Sequence, residues 1–224
     1  TITNDRIFEA FDEVNAVRHG LPGIAYTSSE FFEIEARGLF ATSWSFVGFA
    51  HQLANVGDVQ PLTVAGKPVF LVRSESDQIH AFHNVCRHRN LKLIDRPRHC
   101  DALITCPYHR WSYDFRGQLH LAPYFGGKKS GLPDGFELAD YGLYPIRCHT
   151  FHDWVFINLN GQAERFENFI KPIERQLTGF ELDEFIPVAT LEFGEISTNW
   201  KLLMENFIEP YHVQYVHKTT TSQP

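Results

Sequence analysis

Two short stretches of the sequence, CRHRN at residues 86–90 and CPYHRW at residues 106–111, dominate its interpretation because each supplies one thiolate and one imidazole. Residues 89–105 leave enough chain between the two pairs for an out-and-back pair of strands that brings the two loops together. Two sulfurs and two nitrogens suit a [2Fe–2S] cluster in which two Cys hold one iron and two His hold the other, at a higher reduction potential than an all-Cys cluster. The candidate ligands are Cys86, His88, Cys106 and His109.

A structural zinc site is the competing interpretation, because it also uses two Cys and two His. Zinc modules usually keep like ligands together, as a Cys pair followed by a His pair, whereas each stretch here contains one of each. The single residue between Cys86 and His88 is also tight for two ligands of one tetrahedral ion. The spacing therefore favours the iron–sulfur cluster over zinc.

The composition excludes several classes of partner. A chain of 224 residues with 43% hydrophobic and 14% aromatic residues can build packed cores. A net charge of −7 gives no electrostatic footprint for nucleic acid or an anionic membrane surface. No apolar run reaches membrane-spanning length, and the N-terminus lacks the order of a signal peptide. We therefore expect neither nucleic-acid nor membrane binding.

Two of the four cysteines, Cys100 and Cys148, lie outside the two stretches. A free Cys usually behaves as a small buried hydrophobe, so we predict free thiols, although the sequence leaves a disulfide between them open. The overall pattern is typical of a reducing compartment, and the predicted localisation is cytoplasmic.

The hydrophobic periodicity predicts an α+β fold class. Helices are predicted over 4–18 and from Thr27 to about Gly38, the second with a Thr27–Glu30 capping box. Many short strands joined by hairpin turns predict a small antiparallel β-barrel or sandwich. A glycine-rich segment over 123–135 is expected to cover the cluster. The strands are predicted over 45–50, 58–64, 68–72, 78–83, 102–105, 111–115, 118–121, 142–149 and 154–159, followed by a helix over 163–177 and a strand over 187–197.

A second functional stretch begins with NWKLLMENFIEPYH at residues 199–212 and continues to His217. Two His with a carboxylate form the ligand set of non-haem Fe(II) sites that activate oxygen, so Glu209, His212 and His217 are candidates. Glu209 and His212 are predicted to share a helix face. His212 and His217 are about 140° apart on an ideal helix, so the helix must be distorted or end between them to bring both to one ion.

Together the two stretches resemble the α subunit of the Rieske non-haem iron ring-hydroxylating oxygenases. The family pattern is Cys-x-His, a spacer of this size, Cys-x-x-His, and later Asn-Trp-Lys before an acidic residue-x-x-His-x-x-x-x-His. The resemblance implies a Rieske-type antiparallel β domain followed by the start of a helix-containing α+β catalytic domain. We predict N-terminal helices at 1–40, a Rieske [2Fe–2S] domain at 41–160 and the beginning of the catalytic domain at 161–224.

The resemblance also implies a role for each residue of the second stretch. His212 and His217 would bind a mononuclear Fe(II), and the third ligand, a carboxylate, is expected beyond Pro224 because the chain resembles the N-terminal part of a longer enzyme. Glu209 would be an acidic bridge rather than a ligand. It would hydrogen-bond an iron-binding His and, across a subunit boundary, the cluster ligand His109 of a neighbouring chain, offering a path for the electron.

Three positions depart from the family pattern. The bridge is Glu209 where most ring dioxygenases have Asp, and Glu is more typical of homotrimeric members, including some that act on quaternary amines. Asn90 and Arg110 stand where the family has Gly after each cluster loop. Arg110 adds a positive charge beside the cluster, which would favour its reduced form.

The resulting hypothesis is an oxygenase component that uses electrons from NAD(P)H. These arrive through a separate reductase, with or without a ferredoxin, and pass from the cluster to the mononuclear iron for O₂-dependent hydroxylation or demethylation of a small organic substrate. A homotrimer is expected. The alternative is a Rieske-type electron-transfer protein without its own oxygenase site, for which the stretch 199–217 would be surplus.

Overall fold

The structure is a computed structural model, which describes residues 20–129, 131–189, 194–217 and 219. The chain divides into two compact units, one formed by residues 36–188 and the other by residues 1–35 with 189–224. The helix predicted over 4–18 lies outside the described residues. The predicted domain boundaries at 40 and 160 stay a prediction.

The described residues of the unit 36–188 form ten antiparallel strands together with helical segments. A seven-stranded sheet has the order β1-β10-β9-β4-β3-β2-β5, and a three-stranded sheet has the order β6-β7-β8. The predicted fold class, a mixture of helices with an antiparallel β domain, is confirmed. The strands are β1 Ser45–Phe49, β2 Asp58–Val64, β3 Lys67–Glu75, β4 Gln78–His83, β5 Arg98–His99, β6 Ile104–Thr105, β7 Ser112–Tyr113, β8 Leu119–Leu121, β9 Pro145–Phe151 and β10 Trp154–Asn158.

Strand β3 lies at the centre of the packing because both of its faces are buried. Phe70 and Val72 pack into one hydrophobic core, which also contains the two candidate cysteine ligands. Val69 and Leu71 pack into a second hydrophobic core on the other face. Successive side chains of a strand point to opposite faces, so a strand buried on both sides reads as a continuous apolar run rather than an alternation. This packing anchors both cysteine loops to the same face of β3.

The helices are short, and one predicted cap is wrong. Ser28, not Thr27, caps the helix that follows, because Ser28 Oγ accepts a hydrogen bond from Phe31 N at 3.2 Å, whereas Thr27 Oγ1 donates back to Gly23 O. The α-helices are α1 Ile24–Thr27, α2 Ser29–Glu35, α3 Phe166–Gln176, α4 Trp200–Ile208 and α5 Val213–Val216, and a π-helical turn spans Ala36–Phe40.

The strand predicted over 187–197 is wrong for its described residues, 187–189 and 194–197, which are not in a strand. A strand is stabilised by pairing with another strand, and this segment pairs with no strand of the described chain, so its apolar pattern alone does not make one. Conversely, the two-residue strand β5 was not predicted. It exists because Arg98 and His99 pair with Val59 and Asp58 of β2. Among the described residues, no helix is long and apolar enough to cross a membrane.

Candidate functional site: two cysteine loops and a histidine pair

The two cysteine loops have the same backbone conformation. In the first, Cys86 N donates to Leu91 O at 2.8 Å and Asn90 N donates to Cys86 O at 2.9 Å. The second loop repeats both bonds around Cys106, at 2.8 and 3.1 Å, with the residues five and four positions later. Each loop is therefore closed by its own hydrogen bonds, which fixes where its Cys and His side chains begin.

Closing the loops this way places Asn90 and Arg110 at equivalent positions in the left-handed backbone region, with φ of 56° and 62°. Glycine adopts this conformation without a Cβ clash, and Asn tolerates it better than most other residues. The backbone thus explains why a glycine suits both positions. At Arg110 the side chain carries a cost of about 1–2 kcal/mol.

The four candidate ligands come together as a thiol pair and an imidazole pair. Cys86 and Cys106 are buried and their thiols are within hydrogen-bonding reach, and the His88 and His109 ring centroids are 4.6 Å apart. Burial raises the pKa of the Cys106 thiol and lowers the pKa of His88. His88 is therefore held in its neutral form, which is the form that binds a metal.

One nitrogen of this group lacks a partner. His109 Nδ1 is buried and has no hydrogen bond. An unsatisfied buried polar atom costs about 1–3 kcal/mol, so a group that binds Nδ1 would remove the penalty. Among the described residues no three Cys, His, Asp or Glu gather closely enough for a single ion. The two separate pairs fit a two-iron cluster held by sulfur on one side and nitrogen on the other.

An aromatic wall of Trp111, Phe125, Phe136 and Tyr141 lies beside the His88 ring. The Trp111 ring lies parallel to His88, at 4.8 Å between centroids and 10° between planes, and Phe125 contacts His88 edge-on at 5.6 Å. Phe136 and Tyr141 stack on each other at 4.3 Å and both contact Trp111. Because Trp111 is buried, the wall acts as a hydrophobic shield, and Phe125 comes from the segment predicted to cover the cluster.

Sequence reasoning missed Asn84, which anchors the first loop. Asn84 is fully buried, its Oδ1 accepts from Leu93 N and Ile94 N at 3.0 and 2.9 Å, and its Nδ2 donates to Ile94 O at 2.7 Å. One side chain therefore joins the two ends of the loop that carries Cys86. The only sequence signal is a polar residue at the end of an apolar strand, which alone predicts no partner.

Tyr113 was also missed. Its hydroxyl oxygen accepts from Arg87 N at 3.1 Å and lies 3.3 Å from Cys86 Sγ. Because a thiolate can only accept, the hydroxyl must donate to Cys86 whenever that sulfur is deprotonated. Burial raises the pKa of Tyr113, so this donor keeps its proton.

Replacing Tyr113 with Phe should lower the reduction potential of a cluster held by Cys86. A hydrogen bond to a ligand sulfur stabilises the more negative, reduced state, and a bond of about 1 kcal/mol corresponds to about 40 mV for one electron. A redox titration measures this shift in reduction potential. Tyr141→Phe is the control because it leaves the bond between Tyr113 and Cys86 intact. Equal potentials for the two variants would contradict the proposed hydrogen bond from Tyr113 to Cys86.

The second stretch is not one continuous helix, so the predicted shared helix face of Glu209 and His212 is wrong. Helix α4 ends at Ile208, and Glu209 has an extended backbone with φ −103° and ψ 133°. The residue before a proline is biased away from helical geometry, and Pro210 follows Glu209. Helix α4 therefore ends before Glu209 rather than between His212 and His217, and the separate one-turn helix α5 lies between these two histidines.

Glu209 and His212 nevertheless make contact. Glu209 Oε1 lies 2.6 Å from His212 Nδ1, and the His212 and His217 ring centroids are 5.5 Å apart. The hydrogen bond from His212 lowers the pKa of Glu209, so Glu209 is a carboxylate that fixes the Nδ1–H tautomer. Nε2 of His212 is then left with a lone pair available to a metal.

The Asn-Trp-Lys part of this stretch has a structural role. Asn199 Oδ1 caps α4 by accepting from Lys201 N at 3.0 Å. Lys201 Nζ forms a buried ion pair with Glu35 at 2.7 and 2.9 Å, and Trp200 Nε1 donates to the same carboxylate at 3.2 Å. Glu35 of α2 therefore fixes the start of the helix that precedes Glu209.

Two family models match the chain. Residues 43–132 match the Rieske [2Fe–2S] domain, and residues 176–224 match the catalytic domain of the ring-hydroxylating α subunit. Each candidate cluster ligand lies within the first match, and Glu209, His212 and His217 lie within the second.

Curated relatives and a solved structure match most of the chain. The glycine betaine monooxygenase oxygenase subunit of Chromohalobacter salexigens is 32% identical over 89% of this chain and 43% of its own length. The large oxygenase component of salicylate 5-hydroxylase from Ralstonia sp. is 31% identical over 88% of this chain and 48% of its own length. The quaternary ammonium Rieske monooxygenase CntA, solved with L-carnitine, has 29% identity and a TM-score of 0.77, covering 88% of this chain and 55% of CntA. The chain thus spans about half the length of the proteins it matches.

Proposed function

Because this chain belongs to the family of Rieske non-haem iron ring-hydroxylating oxygenase α subunits, we propose that it works as an oxygenase component. Electrons from a reductase would enter at Cys86, His88, Cys106 and His109 and pass to an iron held by His212 and His217. The proposed reaction is the O₂-dependent hydroxylation or demethylation of a small organic substrate.

The observation that carries the proposal is the separation of the ligands into a thiol pair and an imidazole pair, with His109 Nδ1 buried and without a partner. When bound, a Rieske cluster supplies one-electron transfer at a raised potential. The chain's own residues prepare for it. The two loops fix the ligand positions, the Tyr113 hydroxyl lies within reach to donate to a Cys86 thiolate, and the buried Trp111 ring of the aromatic wall packs against His88.

At the second site, Glu209 keeps a proton on His212 Nδ1 and so orients the ring. A bound Fe(II) there would supply oxygen activation. His212 and His217 would be two of its ligands, and the third ligand, a carboxylate, is proposed to lie beyond Pro224. Glu209 would also face His109 of a neighbouring chain, which makes a homotrimer the proposed assembly and Glu209 the proposed electron path.

The proposed substrate class is small quaternary ammonium compounds. This rests on the relatives named for glycine betaine and carnitine, together with the Glu bridge at position 209. Hydroxylating a methyl carbon attached to nitrogen gives a product whose carbon–nitrogen bond breaks. The carbon leaves as formaldehyde, which accounts for demethylation. The proposed electron source is NAD(P)H through a reductase, with or without a ferredoxin, in the cytoplasm.

Quantifying iron and acid-labile sulfide in the anaerobically purified chain tests the cluster. We expect about two of each per chain and the absorption of a [2Fe–2S] centre. A colourless protein with one zinc would overturn the proposal.

Turnover is measured separately on the natural gene product, supplied with its reductase and with glycine betaine or carnitine. Formaldehyde released with O₂ consumption supports demethylation. A protein that carries the cluster and exchanges electrons, but consumes no O₂ with any substrate of this class, would favour the electron-transfer alternative.

A further inference from the structure

Arg87, the residue between the first two candidate ligands, contacts residues far from its own loop. Arg87 stands between Cys86 and His88, and its backbone N–H donates to the Tyr113 hydroxyl. Its guanidinium lies over the Tyr144 ring, with Cζ 4.0 Å from the centroid, and donates to Gly142 O. Arg87 therefore ties the first loop to a segment more than 50 residues away in sequence.

The segment that receives Arg87 is fixed to the sheet. Leu143 N donates to Gly117 O at 2.7 Å, and His83 N, at the end of β4, donates to Tyr144 O at 3.0 Å. The residue after Tyr144 begins β9. The guanidinium thus contacts a rigid support rather than a loose loop, and it can transmit the position of that support to the first loop.

The same segment continues into the aromatic wall. Tyr141 lies 6.0 Å from Arg87 Cζ and contacts Trp111, whose ring is parallel to His88. The contacts form a closed path from Arg87 through Tyr141 and Trp111 to His88, which adjoins Arg87 in sequence. A change at the guanidinium would move both the backbone that carries His88 and the wall against which its ring packs.

We propose that Arg87 is a positioning residue that sets the ring orientation of His88 as a cluster ligand, by clamping the first loop to Tyr144 and Gly142. Its role is geometric as well as electrostatic, because a planar guanidinium can stack on a ring and bond a carbonyl at once, which an ammonium group does poorly. This inference rests on the proposed cluster.

Arg89 provides a matched control. It lies on the other side of His88, is exposed, and acts on His88 through its charge. Arg87 and Arg89 are both adjacent to His88 in sequence, and replacing either with Lys keeps its positive charge. If charge alone mattered, the two variants would therefore behave alike. Only the geometric role predicts a difference.

The experiment compares the iron–sulfur-loaded wild-type protein with Arg87→Lys and Arg89→Lys. Pulsed EPR of the reduced cluster measures the ¹⁴N couplings of the two histidine ligands, and a chelator assay measures the rate of iron loss. We expect Arg87→Lys to broaden or shift one histidine coupling and to speed iron loss about tenfold, the scale of one lost cation–π contact with a charged hydrogen bond. Arg89→Lys should match the wild type.

Tyr144 supplies a second pair of variants in case Arg87→Lys folds poorly. Tyr144→Leu removes the ring beneath the guanidinium and should reproduce the Arg87→Lys spectrum, whereas Tyr144→Phe keeps the ring and should restore the wild-type spectrum. Equal ¹⁴N couplings in all variants would overturn the inference, as would a lowered melting temperature with an unchanged spectrum. A wild-type chain without a cluster would instead contradict the proposed function.

Discussion

Replacing Cys106 with Ser should abolish the cluster. Cys106 is one of two buried thiols that lie within hydrogen-bonding reach of each other, and its backbone is held by the closing bonds of the second loop. Without its sulfur, one iron of the proposed cluster would keep a single protein ligand, because the two histidines are proposed to hold the other iron. We expect iron and acid-labile sulfide to fall from about two each per chain to near zero, with loss of the visible absorption.

Cys100→Ser is the matched control. Cys100 is a second buried, free cysteine, packed in the same core cluster but outside the two loops. The Cys100→Ser substitution replaces one buried sulfur atom with oxygen and should leave the iron and sulfide content unchanged. If Cys100→Ser and Cys106→Ser lose iron equally, the loss reports general destabilisation, and the ligand assignment of Cys106 is contradicted.

Replacing Glu35 with Ala should strongly destabilise the unit that carries the second site. The Lys201 side chain is only 7% exposed and that of Glu35 11%, so the variant leaves a buried ammonium group without its carboxylate. Breaking a buried ion pair by removing one partner costs about 3–5 kcal/mol. Trp200 Nε1 would lose its acceptor as well. Hydrogen exchange of the α4 amides measures the loss directly, because it reports this helix separately from the β unit.

Glu167→Ala is the control for an exposed pair. Glu167 pairs with Arg165 at 3.2 Å, and both side chains are more than half exposed. Solvent screens such a pair, so its loss should cost about 0–1 kcal/mol. The double variant Glu35→Leu with Lys201→Met should recover much of the stability, because apolar replacement of a whole buried pair is often neutral. An α4 exchange rate unchanged by Glu35→Ala would show that the ion pair does not stabilise this helix.

The sequence was most informative where chemistry is carried by spacing within a short segment. The two Cys and His stretches and most of the antiparallel strands were predicted from local patterns, because side-chain periodicity and ligand spacing act within a few residues. The helix break was expected between His212 and His217, whereas the helix ends before Glu209, which precedes a proline. The domain boundaries and the ligand assignments remain predictions. The strand predicted over 187–197 is wrong at its described residues, 187–189 and 194–197, because a strand depends on a distant partner that no local pattern reveals.

What the sequence determined alone is the identity of the candidate ligands and the order of the strands that carry their loops. Only the tertiary structure decided which residues support them. Asn84, Tyr113, Arg87 and Glu35 each act through a partner at least nine residues away, and single polar residues carry no periodic signal of such pairing. The physical reason is that a buried polar group is stable only where the folded chain supplies its hydrogen-bond partner, and that partner is set by the packing of the whole unit.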